Sequence, residues 1–148
     1  MQDRFKFRGL TKGKEPNKWI YGSLLWYADE PQIWDGEGNN YLVRSETVGQ
    51  CTGLKDKNGT LIFEGDIVKI NTHYNHLVCD DYEYDCESEK GYSLFKIIYD
   101  DDMARFGAER IKCVKWETHH YSLDYVPHNH KVIGNIYENP ELIGGEEC

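Results

Sequence analysis

No apolar run in this sequence approaches the ~20 residues that a membrane-spanning helix needs, so a chain crossing a bilayer on helices is not expected. The opening residues, MQDRFKFRG, lack the apolar core of a secretory signal. Cysteine occurs at five positions, Cys51, Cys79, Cys86, Cys113 and Cys148. An odd number without framework spacing argues against a disulfide scaffold. These absences together predict free thiols in a reducing cytoplasm. Positive charge is also short: 17 Lys and Arg stand against 26 Asp and Glu, for a net charge of −9. That balance opposes non-specific binding to phosphate backbones, which rests on cationic side chains releasing counterions. No internal repeat, nucleophile elbow or Ser-His-Asp context is present. Gly9-Leu10-Thr11-Lys12-Gly13-Lys14 falls short of a phosphate-binding loop. Its spacing is one residue too small, Glu15 stands where a Ser or Thr would hold magnesium, and no buried strand precedes it.

What is present centres on residues 48–70, VGQCTGLKDKNGTLIFEGDIVKI. Asp56-Lys57-Asn58-Gly59 between apolar flanks predicts a hairpin turn, a type I turn closed by a glycine bulge. Thr60 to Phe63 carries β-branched and aromatic residues suited to a strand, with Leu61 and Phe63 on one face and Ile62 on the other. Glu64-Gly65-Asp66 breaks it: Gly65 is free to take a conformation closed to other residues, and Asp66 can accept hydrogen bonds from nearby amides. Ile67 to Ile70 begins the next strand. Such a Gly-Asp corner leading into Ile-Val is common in SH3-like barrels, and it makes Asp66 a turn cap in preference to a catalytic carboxylate.

Around this stretch, Arg4 to Arg8 alternates charged and aromatic residues and predicts a strand with Phe5 and Phe7 inward. Gly9 to Asn17 reads as a loop, and Lys18 to Tyr27 as a strand bent at Gly22. Pro31 to Asp35 and Tyr41 to Arg44 form short strands about a Gly36–Asn40 turn. Residues 71–91 are acidic and aromatic without a clean period, and read as a long loop or irregular insertion. Tyr92 to Tyr99 predicts a strand, and Asp100-Asp101-Asp102 the start of a short helix. Further strands are expected at Lys112 to Trp116 and Tyr121 to Val126, with Lys131 to Tyr137 closing the domain. Asn139-Pro140-Glu141-Leu142 reads as one capped helical turn with proline leading.

Candidate chemistry is sparse. His73, His76, Cys79 and Cys86 run in the order H-x2-H-x2-C-x6-C, which offers zinc-type ligands but no Cys-x2-Cys knuckle. His119, His120, His128 and His130 form a second cluster that reads as a partly exposed loop. Cys51 reads as a small buried residue rather than a nucleophile. Trp19, Trp26, Trp34 and Trp116 read mainly as core packing, although Phe5, Lys6, Phe7, Arg8, Lys18 and Trp19 interleave base with aromatic as a nucleic-acid surface would. No residue is assigned as catalytic, cofactor-binding or metal-ligating.

Val48-Gly49-Gln50, Thr52 to Gly59, and Glu64-Gly65-Asp66-Ile67-Val68 resemble the signature of the YopX family, encoded by phages and prophages of bacteria. Val132 to Leu142, VIGNIYENPEL, is similar to the family's C-terminal motif, and Phe5-Lys6-Phe7-Arg8 with Trp19-Ile20-Tyr21-Gly22 to its opening strands. Cys51 stands where relatives often have an aromatic. The resemblance implies a β-rich fold with an SH3-like barrel and a phage or prophage origin, and it supplies no catalytic residues. The expected fold is therefore mainly β. A small antiparallel N-terminal lobe (1–47) packs on an SH3-like barrel (48–142, with the acidic insertion at about 71–91), followed by a tail at 143–148, with at most one or two short helices. The expected role is a non-enzymatic accessory protein in the cytoplasm of the bacterial host that binds a protein partner or itself. It has no cofactor and no membrane partner. Nucleic-acid binding through the basic N-terminal strands is the alternative, and a metal-dependent enzyme using the loop from His73 to Cys86 is the second.

Overall fold

Strand formation follows the alternating and β-branched runs, and it places two antiparallel sheets on either side of the Gly65-Asp66 corner. The structure, a computed structural model, describes residues 2–13, 17–73, 90–114 and 130–144. The strands are β1 (Phe7–Leu10), β2 (Trp19–Tyr27), β3 (Glu30–Trp34), β4 (Asn40–Leu42), β5 (Gly49–Lys55), β6 (Leu61–Phe63), β7 (Asp66–His73), β8 (Lys90–Asp100), β9 (Arg105–Val114) and β10 (His130–Asn135). A six-stranded sheet has the order β4-β3-β2-β1-β5-β6, and a four-stranded sheet the order β10-β7-β8-β9. Helical structure among the described residues is confined to short 3-10 turns at Gln2–Phe5, Ser45–Thr47 and Pro140–Leu142.

The expected mainly β fold is present, but a closed SH3-like barrel is not shown: among the described residues neither sheet closes on itself. β5 and β6, from the stretch expected to begin the barrel, instead extend the sheet built by β1 to β4. That sheet curls. A bridge between Thr11 and Val43 brings the end of β4 back beside the end of β1, and the bonds Lys12 N to Leu42 O and Arg44 N to Leu10 O secure it. Ile20, Ile33 and Val43 fill the curl, with Phe7, Leu24 and Tyr41 against them. The second core joins Ile62 of β6 to Val68, Ile70, Phe95, Ile97 and Ala108 of the other sheet. Burying each of these aliphatic side chains favours folding by about 1.5–3 kcal/mol, so Ile62 couples the two sheets.

Three expectations are corrected. Phe5 does not turn inward: it ends a 3-10 turn and is 76% exposed. β1 starts only at Phe7, which places Arg8, Gly9 and Leu10 in buried positions. Asp100-Asp101-Asp102 starts no helix. β8 and β9 pair through Asp100↔Arg105 as a hairpin, because the Asp100 side chain caps the turn by accepting from the N–H groups of Asp102 and Met103. An Asp side chain serves a tight turn as readily as a helix start. Of the insertion, residues 71–73 continue β7 and 90–91 begin β8; the rest, like the strand expected at Tyr121 to Val126, lies outside the described residues. Lys112 to Val114 ends β9. The closing strand, β10, pairs with β7 as His130↔Ile70 through Asn135↔Asp66.

Candidate functional site

The corner after β6 draws the two sheets together through backbone and side chain alike. Gly65 takes φ 81°, a left-handed conformation that glycine adopts without cost. Its N–H donates to Ile97 O on β8, and its C=O accepts from Ile136 N after β10. Asp66 is 2% exposed. Its Oδ2 accepts from the Phe63 N–H at 2.8 Å, which caps the corner as expected. Its Oδ1 has a second task that the sequence reading did not anticipate: it meets Arg8 Nη1 at 2.6 Å. Burial pushes the Asp66 carboxyl up from its ordinary value, while the Arg8 guanidinium and the Phe63 amide pull the other way.

Arg8 is held on all sides. Nη2 donates to Glu64 O at 3.1 Å. The guanidinium lies 4.7 Å from the Trp19 ring centroid and 5.1 Å from that of Phe63, both within cation–π range. Nε has no hydrogen-bond partner among the described residues. Tyr21 meets Phe63 edge-on at 5.5 Å, and Trp19 meets Tyr137 at 5.9 Å. Arg8 on β1 thus bonds to Asp66 on β7 across the seam between the sheets. With both oxygens engaged, the Asp66 carboxylate holds the seam, at the edge of a cleft that it and Arg8 help to line.

The C-terminal motif builds the neighbouring wall. Asn135 Oδ1 accepts from the N–H groups of Tyr137 and Glu138, its Nδ2 donates to Glu138 Oε2, and its own N–H donates to Asn139 Oδ1. These bonds fold Asn135 to Asn139 into a compact corner. Between that corner and β2 lies a cleft of about 740 Å³ lined by Lys6, Trp19, Tyr21, Phe63, Asn135 and Glu138, among others.

From this cleft an apolar surface runs outward along β2 and β3. Directly paired residues share a sheet face, and the pairs Arg8↔Tyr21 and Ser23↔Trp34 place Tyr21, Leu25, Tyr27 and Trp34 on one face. They are 49%, 46%, 74% and 42% exposed. Trp26, on the opposite face, is exposed as well. The expectation that the tryptophans serve mainly as core therefore fails for Trp26 and Trp34. Trp19 lines the cleft, and Trp116 lies outside the described residues.

The other candidates fall as follows. Cys51 is fully buried, and burial pushes its thiol up. His130 is buried, with its ring nitrogen 3.1 Å from Lys55 O. His73 ends β7; His76, Cys79, Cys86, His119, His120 and His128 lie outside the described residues. Among the described residues no three His, Cys, Asp or Glu side chains gather as a metal site, and no helix is long and apolar enough to cross a membrane. In the basic N-terminal run, Lys6 pairs with Asp3, Lys12 with Glu30, and Arg8 with Asp66. Arg8 escaped the sequence reading because strict alternation turned it toward solvent. The signal that could have found it was the Asp66 carboxylate, which has more acceptor capacity than a turn cap uses.

Fold and site together define a two-sheet antiparallel β protein whose motif residues fasten the sheets at a buried Arg–Asp seam. The family model described as YopX protein matches residues 6–144, and the chain belongs to the YopX family. Among solved structures it is similar to protein EF1440 from Enterococcus faecalis, at 26% identity over 92% of this chain and 74% of that one, with a TM-score of 0.40. Among curated proteins nothing matches.

Proposed function

We propose that this chain is a non-enzymatic phage or prophage accessory protein that acts in the cytoplasm of a bacterial host by binding another protein or a second copy of itself. The observation that supports the reading is the uncovered face of Tyr21, Leu25, Tyr27 and Trp34 running into the cleft beside Arg8. Exposed aromatics grouped on one face, beside a concave pocket, are what protein interfaces use as anchors. The pairing of Lys6, Arg8 and Lys12 with carboxylates counts against the nucleic-acid alternative, since a neutralised cation releases few counterions. The SH3-like barrel belongs to the same proposal: the Gly65-Asp66 corner hands the chain from one sheet to the other as such barrels do, with the sheets left open.

The test compares the full chain with the double variant Leu25→Lys/Trp34→Lys. Host-lysate capture and light scattering are read together with the melting temperature. The expected outcome is a captured protein or a dimer with the parent chain, lost in a variant that melts within a few degrees of it. A monomeric parent that captures nothing, or a variant that captures equally, contradicts the proposal.

A further inference from the structure

A second pocket, of about 490 Å³, opens where the N-terminal 3-10 turn and β5 meet the β8–β9 hairpin. Two cationic side chains line it: Arg4 before β1 and Arg105 at the start of β9. Among the described residues neither makes an ion pair, although Lys6, Arg8, Lys12 and Lys96 all do. The remaining wall combines the polar Gln50 and Thr52 with apolar and aromatic side chains. Tyr99 and Phe106 pack edge-on at 5.2 Å, and Leu54 stands 41% exposed nearby.

Arg4 is positioned by a gap. Its stem passes over Gly53, where a Cβ would lie 2.4 Å from Arg4 Cγ. Gly53 also sits at φ 82°, so both backbone and space call for glycine at this position of the Thr52-Gly53-Leu54 motif. On the opposite side, Ala104 takes φ 49° just before Arg105. A non-glycine residue in that region carries strain of the order of 1 kcal/mol, held here where the hairpin delivers a guanidinium to the pocket.

We propose that this pocket binds a phosphate monoester attached to a flat ring, the chemistry of a mononucleotide. Two guanidinium groups, one brought by the N-terminal 3-10 turn and one by β9, match a phosphate, whose oxygens accept paired N–H donors. The Tyr99–Phe106 wall offers a face on which a planar ring stacks. The hairpin turn also sets an upper limit on charge. Asp100, Asp101 and Asp102 directly follow Tyr99 outside the pocket lining, and their charge opposes a ligand with many phosphates more than one with a single phosphate. A polynucleotide is therefore disfavoured. The site shares no lining residue with the protein-docking face, so the two readings stand or fall separately.

Titration calorimetry of the full chain with adenosine monophosphate, adenosine and a twelve-nucleotide single strand tests the proposal. Arg4→Ala, Arg105→Ala and the control Lys18→Ala, outside the pocket, are measured alongside, and melting temperatures confirm that each variant is folded. The expected result is binding of the monophosphate, weakened at least tenfold in each arginine variant and at least tenfold when the phosphate is removed, with Lys18→Ala unchanged. No binding of the monophosphate at millimolar concentration, binding indifferent to both arginines, or tighter binding of the single strand than of the monophosphate would overturn it.

Discussion

Asp56 gathers three main-chain donors from two distant parts of the chain. Oδ1 accepts from Asn58 and Thr60 inside the hairpin turn, and Oδ2 accepts from Val132 on β10. Burial pushes its carboxyl up, but the Thr60, Val132 and Asn58 amides outweigh burial and hold it below the ordinary value. The sign follows from that direction. A depressed folded-state pKa contributes stability that is complete above the unfolded-state value, about 3.9, and lost as pH falls through the lower folded value. Asp56→Ala should cost about 3 kcal/mol at neutral pH, since charged acceptors of main-chain donors are among the stronger bonds. In urea unfolding, the gap between parent and variant should narrow below about pH 4; a gap unchanged at pH 3 would contradict this role. The turn itself was legible: Asp-Lys-Asn-Gly spells a hairpin, and Gly59 takes φ 82° as that turn requires. The reach to Val132 was not, because a turn motif carries no information about which strand will pass it 76 residues later.

At the scale of elements, period and composition located most strands, and the errors share one cause. Short polar segments beside a strand can be resolved in more than one way, and tertiary pairing decides between them. Arg4 to Arg8 alternates cleanly, yet pairing with β2 and β5 begins at Phe7, so Phe5 is left outside the sheet. Asp100 to Asp102 carries helix-start chemistry, yet β8 and β9 are in register on either side of it, and the same side chain closes a hairpin instead. β10 was legible as the closing run Lys131 to Tyr137, and its placement gives a prediction. It pairs along β7, and its Val132 packs on the second core. Removing residues 129–148 would bare the edge of β7 and one side of that core. The truncated chain should lose cooperative unfolding and dispersed amide resonances; a sharp, dispersed spectrum would contradict the assigned place of β10.

For the whole molecule, the family motifs mark where the sheets are fastened, and the uncovered surfaces draw only in part on them. Residues 49–55 and 61–66 build the seam strands and corner, and residues 132–142 build the turn beside them. Leu25, Tyr27 and Trp34 of the exposed face and Arg4, Tyr99, Arg105 and Phe106 of the second pocket lie outside the motifs, whereas Tyr21 and the pocket's Gln50, Thr52, Gly53 and Leu54 lie within them. The candidate site was half legible. Asp66 was identified as a cap from its own turn, whereas its bond to Arg8 spans 58 positions of sequence and depends on how the sheets meet. The six-stranded sheet was equally hidden, because β5 pairs with β1 although β2 to β4 separate them in sequence.

The seam's central bond can be measured directly by urea unfolding of Arg8→Met, Asp66→Asn and the double variant at neutral pH. Removing one member of a buried pair leaves the other uncompensated and typically costs about 3–5 kcal/mol. The account predicts a loss of that size for Arg8→Met, a smaller one for Asp66→Asn, which keeps an acceptor for Phe63, and a coupling between them of about 2 kcal/mol. Single variants within about 0.5 kcal/mol of the parent, with no coupling, would show that the sheets are not held at this point and would contradict the account.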